Sequence, residues 1–183
     1  MTKSVNTPLD EAAVESLKSG DLVSISGVVY TARDAAHKKL VELIRNGDEL
    51  PLELAGQVIY YAGPTPSKPG RPIGSAGPTT SYRMDPYAPL LIEHGLKGMI
   101  GKGERSESVV EAMKRHKAVY FAATGGAGVL IARSVLSAEV VAYPELGPEA
   151  IRRLEVKDLP AIVAQDCRGG NLYKEGREAY KVG

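Results

Sequence analysis

The sequence predicts an α/β fold, because short apolar runs rich in Val and Ile alternate along the chain with segments of helical period. The chain has 183 residues, the length of a single domain with room for a buried core. Apolar residues make up 43% and charged residues 25% of the chain, as in ordinary globular proteins. We therefore expect one domain, residues 1–183.

The elements follow from local patterns. Strand candidates are β-branched runs bounded by glycine, proline or polar residues. They are expected at residues 21–30, 57–62, 96–100, 118–123, 140–143 and 161–164. Helix candidates have apolar residues three or four apart, and Asp34, Ser106 and Pro148 stand at positions typical of helix starts. They are expected at residues 8–18, 34–46, 90–95, 106–116, 129–135 and 148–154. Residues 166–171 are expected to form a hairpin-like turn.

Residues 63–78 form a long stretch of Gly, Pro and Ser between two predicted elements of the same domain. A connection of this length is either functional or disordered. Its place inside the domain favours an ordered loop that leads into a site, and its composition alone would also suit a linker.

Composition excludes several classes of function. The 23 basic and 22 acidic residues give a net charge of +1, which argues against binding nucleic acid through a broad basic surface. The single cysteine, Cys167, excludes an intramolecular disulfide and an iron–sulfur or zinc site built on Cys ligands of this chain alone. No His-x-x-x-His pattern suggests a metal site. The sequence has no apolar run long enough for a membrane span and no signal core, so we expect a cytoplasmic protein.

Three cations stand directly after predicted strands or beside glycines: Arg33, Arg83 and Lys102. Loops that follow the strands of an α/β sheet converge at one edge. Arginine binds a carboxylate through two parallel hydrogen bonds, and lysine adds a point charge. Each cation alone would suit an ordinary surface, but together they predict a pocket for a small dianion.

Two further features could support such a pocket. Gly125 and Gly126 precede a predicted helix, where glycines either expose backbone N–H groups to an anion or allow close packing of helix on strand. His37 lies one helical turn after Arg33 and Asp34, from where it would orient Asp34 or contact a substrate.

Four sequence blocks carry a resemblance to a known family: GVVYTARDAAHK at residues 27–38, GPTTSYRMD at 77–85, GKG at 101–103, and GGAG at 125–128 followed by YPELG at 143–147. In this order they resemble the β subunit, or C-terminal domain, of the class I iron–sulfur fumarate hydratases and of the related L-tartrate dehydratases. The GPTTS-x-RMD block is the specific part. The Pro144-Glu145-Leu146-Gly147 block favours the fumarate hydratase branch.

The resemblance implies a swivelling β/β/α domain with a mixed sheet and flanking helices. It implies that the domain closes over a [4Fe–4S] cluster carried by a separate α subunit, in a hetero-oligomer such as α2β2. The implied reaction is the reversible hydration of fumarate to L-malate. Dehydration of L-tartrate and non-catalytic binding of a dicarboxylate stay open as alternatives.

The resemblance also implies roles for single residues. Thr79 corresponds to the proposed catalytic base, although Thr79-Thr80-Ser81 would also suit a helix cap. The residues corresponding to substrate-binding groups are Arg33, Arg83 and Lys102. Supporting roles are expected for Asp34, His37, Gly125 and Gly126.

Overall fold

A mixed sheet is the centre of the computed structural model, which describes residues 1–123 and 128–179. In these residues the sheet has seven strands: β1 (Lys3–Asn6), β2 (Leu22–Thr31), β3 (Val58–Tyr60), β4 (Gly98–Gly101), β5 (Val119–Ala122), β6 (Val135–Ala142) and β7 (Ile151–Gln165). The helices are α1 (Glu11–Ser16), α2 (Asp34–Asn46), α3 (Ala88–Glu93), α4 (Glu107–His116), α5 (Gly128–Arg133) and α6 (Leu172–Ala179), with 3₁₀ turns at Ser81–Met84 and Pro144–Glu149. Within the described ranges, no helix has the length and apolarity needed to cross a membrane.

The strand order is β1-β2-β3-β4-β5-β7-β6, and β7 also pairs with β2. Strands β1 to β5 are parallel to their neighbours, whereas β7 is antiparallel to β2, β5 and β6. Because β7 pairs with both β5 and β2, strands β2, β3, β4, β5 and β7 form a closed ring. The ring fixes the strand ends relative to one another, and those ends carry the candidate site.

Two apolar clusters pack on the two faces of the sheet. In β3, Val58 and Tyr60 join the cluster that gathers side chains from every strand of the ring and from α1 and α5. Their neighbour Ile59 faces the other cluster, which covers α2, α3 and α4. A strand buried on both faces is apolar without alternation, which explains the run Val58-Ile59-Tyr60-Tyr61.

The structure confirms the predicted α/β fold class with a mixed sheet and flanking helices. Several elements differ from the sequence prediction. The predicted helix at residues 148–154 is wrong, because β7 begins at Ile151 and runs for 15 residues. The predicted strand at 140–143 is the end of the longer β6, and β1 and α6 were not predicted. Arg33, rather than Asp34, is the N-cap residue of α2.

The loop at residues 63–78 is tied back on itself and onto its neighbours. Thr65 N–H donates to Ser75 O at 2.9 Å, and Ser75 N–H donates to Thr65 Oγ1 at 2.8 Å. The Tyr60 hydroxyl donates to Ala76 O, and Ala76 N–H donates to Gly128 O at 3.2 Å, so α5 begins against the end of the loop. These bonds hold the segment that leads into Thr79.

We predict that Gly27→Ala lowers the free energy of unfolding by about 1–3 kcal/mol, the usual cost of a strained backbone position. Gly27 has φ +112° at a bulge of β2, and a Cβ there would lie 2.5 Å from Thr7 Oγ1. Urea denaturation of the full chain measures the effect. Gly176→Ala is the matched control, because Gly176 lies in α6 with nothing near its missing Cβ. Equal stability of both variants would contradict the packing described at Gly27.

Candidate functional site

The carboxyl ends of the parallel strands β2 to β5 meet at one edge of the sheet. Arg33 and Asp34 follow the end of β2, and Lys102 follows the end of β4. Thr79 returns to the end of β3, where its N–H donates to Tyr61 O at 2.6 Å. The convergence expected from the sequence is therefore present for these residues. Gly125 and Gly126 follow β5 in the chain and lie outside the described residues.

Backbone pairing joins the Thr79 segment to Lys102. Thr80 and Lys102 form a parallel bridge, and Ser81 N–H donates to Lys102 O at 2.9 Å. Gly101 permits this approach, because a Cβ there would overlap Ser81 Oγ and lie 2.9 Å from Tyr61 Cδ2. The Lys102 side chain is exposed, so its ammonium group is open to a ligand.

Arg33 and Arg83 are brought together by Asp34. One carboxylate oxygen of Asp34 lies 3.6 Å from Arg33 Nη2, and the other lies 3.7 Å from Arg83 Nη2. These distances are longer than ordinary hydrogen bonds, so the guanidinium donors stay available to another anion. The Arg33 side chain is 24% exposed and that of Arg83 is 47% exposed, so both remain open to solvent. Asp34 thus lies between the two arginines without an ordinary hydrogen bond to either guanidinium group.

A second carboxylate adjoins Arg33 from the side of the 3₁₀ turn Pro144–Glu149. Glu149 Oε1 lies 3.5 Å from Arg33 Nε, and both atoms are buried. Gly63 lies beside Arg33, since a Cβ at Gly63 would lie 3.4 Å from Arg33 Cδ, in ordinary van der Waals contact. Glu149 thus places a second carboxylate beside the Nε edge of the Arg33 guanidinium.

His37 is completely buried. Its Nδ1 lies 2.8 Å from Arg33 O, and a carbonyl oxygen only accepts, so Nδ1 carries the proton. Burial lowers the pKa of His37 to about 4, and the ring is neutral at neutral pH. A buried ring is out of reach of a substrate, which disfavours the expectation that His37 contacts the substrate. Its bond to the Arg33 carbonyl stabilises the start of α2, where Asp34 lies.

Thr79 is half-buried, and its hydroxyl forms no hydrogen bond with any residue in the described ranges. Thr80, not Thr79, is the N-cap residue of the 3₁₀ turn Ser81–Met84, and it caps only with its backbone. The capping alternative therefore does not explain Thr79. Among the described residues, no hydrogen-bond partner competes with a ligand for the Thr79 hydroxyl.

Sequence reasoning missed five residues that hold the site in place. They are Glu149, Tyr61, Asp85, Arg105 and Tyr120. Asp85 is the last residue of the GPTTSYRMD block, and Arg105 lies two residues after the GKG block. Both therefore lie in or near a recognised motif. Nothing in the sequence indicates that Arg105 is buried.

The residues of this chain do not fit an iron–sulfur cluster. Cys167 is buried beyond Gln165, and Gln165 pairs with Tyr120 near the start of β5. Cys167 therefore lies toward the opposite edge of the sheet from Arg33 and Lys102. In the described part of the chain, no three His, Cys, Asp or Glu residues are grouped to hold a metal ion.

We predict that the protein loses about 2 kcal/mol of its free energy of unfolding between pH 7 and pH 5 through His37. The unfolded chain binds a proton on His37 near pH 6.5, while the folded chain binds it only near pH 4, so acid favours unfolding. Denaturation at several pH values measures this slope. His37→Gln should flatten it, and His94→Gln, at an exposed position, should keep it. An identical slope in His37→Gln and the parent would contradict the assignment.

Comparison with known proteins identifies the family. The model of the family described as "Fumarase C-terminus" matches residues 2–176. "Fumarate hydratase class I, anaerobic" of Escherichia coli K12 is 42% identical over 93% of this chain and 32% of its own length. "Fumarate hydratase class I, aerobic" of the same strain is 40% identical over the same shares. "Putative L(+)-tartrate dehydratase subunit beta" of Methanocaldococcus jannaschii is 38% identical over 91% of this chain and 89% of its own length. This chain spans about a third of the length of the fumarate hydratases it matches, and it belongs to the Fumarase C-terminus family.

Proposed function

We propose that this chain is the β subunit of a hydro-lyase that interconverts fumarate and L-malate at a site completed by a partner subunit. The observation that carries the proposal is the edge where Arg33 and Arg83 share Asp34, beside the paired Thr80 and Lys102 backbones. The relatives named fumarate hydratase support the substrate.

The three cations suit a substrate with two carboxylates. Each guanidinium offers a planar pair of donors to a carboxylate, and the Lys102 ammonium adds a compact charge. When the C3 proton leaves malate, negative charge accumulates on the neighbouring carboxylate. Cations already held at that carboxylate stabilise the transition state more than the ground state, which is how such groups accelerate a reaction.

Thr79 is the proposed base that takes the C3 proton from malate and returns it in the reverse reaction. Its hydroxyl, which bonds to none of the residues that the structure describes, lies in the segment bonded to the ends of β3 and β4. A threonine hydroxyl is a weak acid, so it must first lose its own proton to serve as a base. Asp34 lies between two arginines and His37 bonds to the Arg33 carbonyl, which leaves a partner carboxylate as the favoured acceptor of that proton.

The [4Fe–4S] cluster of the proposed enzyme belongs on a separate α subunit. One cysteine cannot supply the three or four thiolates that hold such a cluster. The fumarate hydratase relatives are about three times as long as the matched region, and the tartrate dehydratase relative is named as a β subunit of similar length. We propose a cytoplasmic hetero-oligomer such as α2β2, in which this domain closes over the partner's cluster.

L-tartrate dehydration is the second candidate, because the relative matched over 89% of its own length is named a tartrate dehydratase subunit. Co-expression with a candidate α chain, followed by assays on both substrates, separates the two. A complex that converts fumarate and not tartrate supports our proposal. A chain that binds dicarboxylates alone and never associates with an α chain would instead be a non-catalytic binding module.

We predict that Arg83→Ala lowers the fumarate hydratase activity of the complex at least about 100-fold, because the site loses a charged donor pair. The absorbance of the partner's cluster should stay unchanged. Arg115→Ala is the matched control, since Arg115 is exposed on α4. Turnover of Arg83→Ala close to that of the control would remove Arg83 from the site.

We predict that Thr79→Val abolishes exchange of the C3 proton of malate with solvent, since valine keeps the shape of threonine and lacks the hydroxyl. Incorporation of deuterium into malate, followed by mass spectrometry, measures the exchange. Thr80→Val is the control, because Thr80 contributes backbone pairing to Lys102 and should retain exchange. Undiminished exchange in Thr79→Val would exclude Thr79 as the base.

A further inference from the structure

We propose that Arg105, which no substrate can touch, positions the substrate-binding segments at residues 79–85 and 101–103. The inference rests on the function proposed above and assigns that site a buried positioning residue. The Arg105 side chain has no exposed surface, and it is the only Lys or Arg that is buried within the described residues. A buried cation requires partners that replace its lost hydration.

Arg105 has such partners on every side. Its Nε donates to Asp85 Oδ1 at 2.7 Å, and its Nη2 donates to the Tyr61 hydroxyl at 3.2 Å. The centre of the guanidinium lies 5.1 Å from the Tyr61 ring and 4.9 Å from the Tyr120 ring, within cation–π distance. Burial alone would lower the pKa of Arg105, but Tyr61 and Asp85 offset this, so its pKa is raised and the group stays charged.

Asp85 connects this cation to Arg83. It is the C-cap residue of the 3₁₀ turn that carries Arg83. While Asp85 Oδ1 binds Arg105, Oδ2 accepts the Ser106 N–H at 2.7 Å. Both carboxylate oxygens of Asp85 are thus bound to Arg105 and Ser106, which follow the turn at residues 101–103 that carries Lys102. The ion pair therefore ties the end of the Arg83 turn to the chain leaving Lys102.

Tyr120 makes the second connection between the same segments. Its hydroxyl donates to Gly103 O at 2.8 Å, so the Ser81 hydroxyl must donate to Tyr120, also at 2.8 Å. Ser81 lies two residues after Thr79 and Gly103 directly follows Lys102. Tyr61 accepts the Thr79 N–H through its carbonyl. Arg105 therefore contacts Asp85, Tyr61 and Tyr120, which link it to residues 79–85 and 101–103.

Arginine suits this place because of its shape. Its planar fork meets the carboxylate and the phenol in fixed directions, and a lysine at the same position would offer only a point charge. An ion pair out of water adds little to stability compared with apolar residues of similar size. Its effect here is to fix the distance between the Arg83 turn and the Lys102 turn, and hence between the groups that bind the two carboxylates.

The test replaces both members of the pair, Arg105→Met with Asp85→Asn, so that no lone charge is left in the interior. Hydrogen–deuterium exchange of the full chain is the first readout. We expect exchange at residues 79–85 and 101–106 to rise at least tenfold, while exchange at residues 3–16 in β1 and α1 stays unchanged. Exchange within twofold of the parent at both segments would overturn the proposal.

The second readout is steady-state kinetics of the complex with its α chain. We expect the KM for fumarate to rise at least tenfold in the double variant, with the absorbance of the partner's cluster and the melting temperature preserved. An unchanged KM would overturn the proposal. Arg115→Met is the control for loss of a surface arginine. If the double variant does not fold, Arg105→Lys, which keeps the charge without the fork, takes its place in both measurements.

The two readouts also separate the two proposals. If the parent complex converts neither fumarate nor tartrate, the proposed function fails, and the exchange measurement still decides whether Arg105 holds the two segments.

Discussion

The register of the parallel strands determines where the site residues lie. Tyr30, Ile59, Met99 and Tyr120 form one row across β2, β3, β4 and β5. All four strands end one or two residues beyond that row, and the candidate site lies at those ends. A slip of one residue in any strand would exchange the side chains that its two faces present to the two apolar clusters. The ring closed by β7 makes such a slip costly, because β7 pairs with both outer strands of the parallel set.

Charged side chains lie at two depths at this edge of the sheet, one group partly exposed and one buried. At the surface, Glu149, Arg33, Asp34 and Arg83 alternate in sign, with separations of 3.5–3.7 Å. At those distances the two arginines form no ordinary hydrogen bond with these carboxylates. Arg105 is buried, and its guanidinium group donates to Asp85, Tyr61 and the Met99 sulfur. The upper arginines are thus suited to binding, and the lower one to holding the binding segments in place.

Much of the fold was predictable from local patterns. The helix at residues 34–46 ends with Gly47 at φ +73°, as the Asn-Gly pair indicates, and the strands β2 to β5 appear where the β-branched runs predict them. The prediction of a helix at residues 148–154 was wrong. Its Ile151 and Leu154 are three apart after a proline, which mimics a helix start, yet both are buried in a strand that pairs with β2 and β6. Pairing between residues more than a hundred positions apart leaves no local signal.

The same reason explains which residues of the candidate site the sequence could indicate. Arg33, Thr79, Arg83 and Lys102 stand beside motifs or strand ends, so their common edge could be expected. Asp85 and Arg105 matter through burial and contacts across three segments, which the sequence does not display. The supporting role of His37 stays a prediction. Its position after Asp34 is evident from the sequence, but only the structure shows that its ring is buried.

The decisive test of the proposed site is a crystal structure of this chain in complex with a candidate α chain and L-malate. We expect carboxylate oxygens of malate about 3 Å from donors of Arg33, Arg83 and Lys102, with C3 facing the Thr79 hydroxyl. Malate held entirely by residues of the partner, with these three cations turned to solvent, would contradict it.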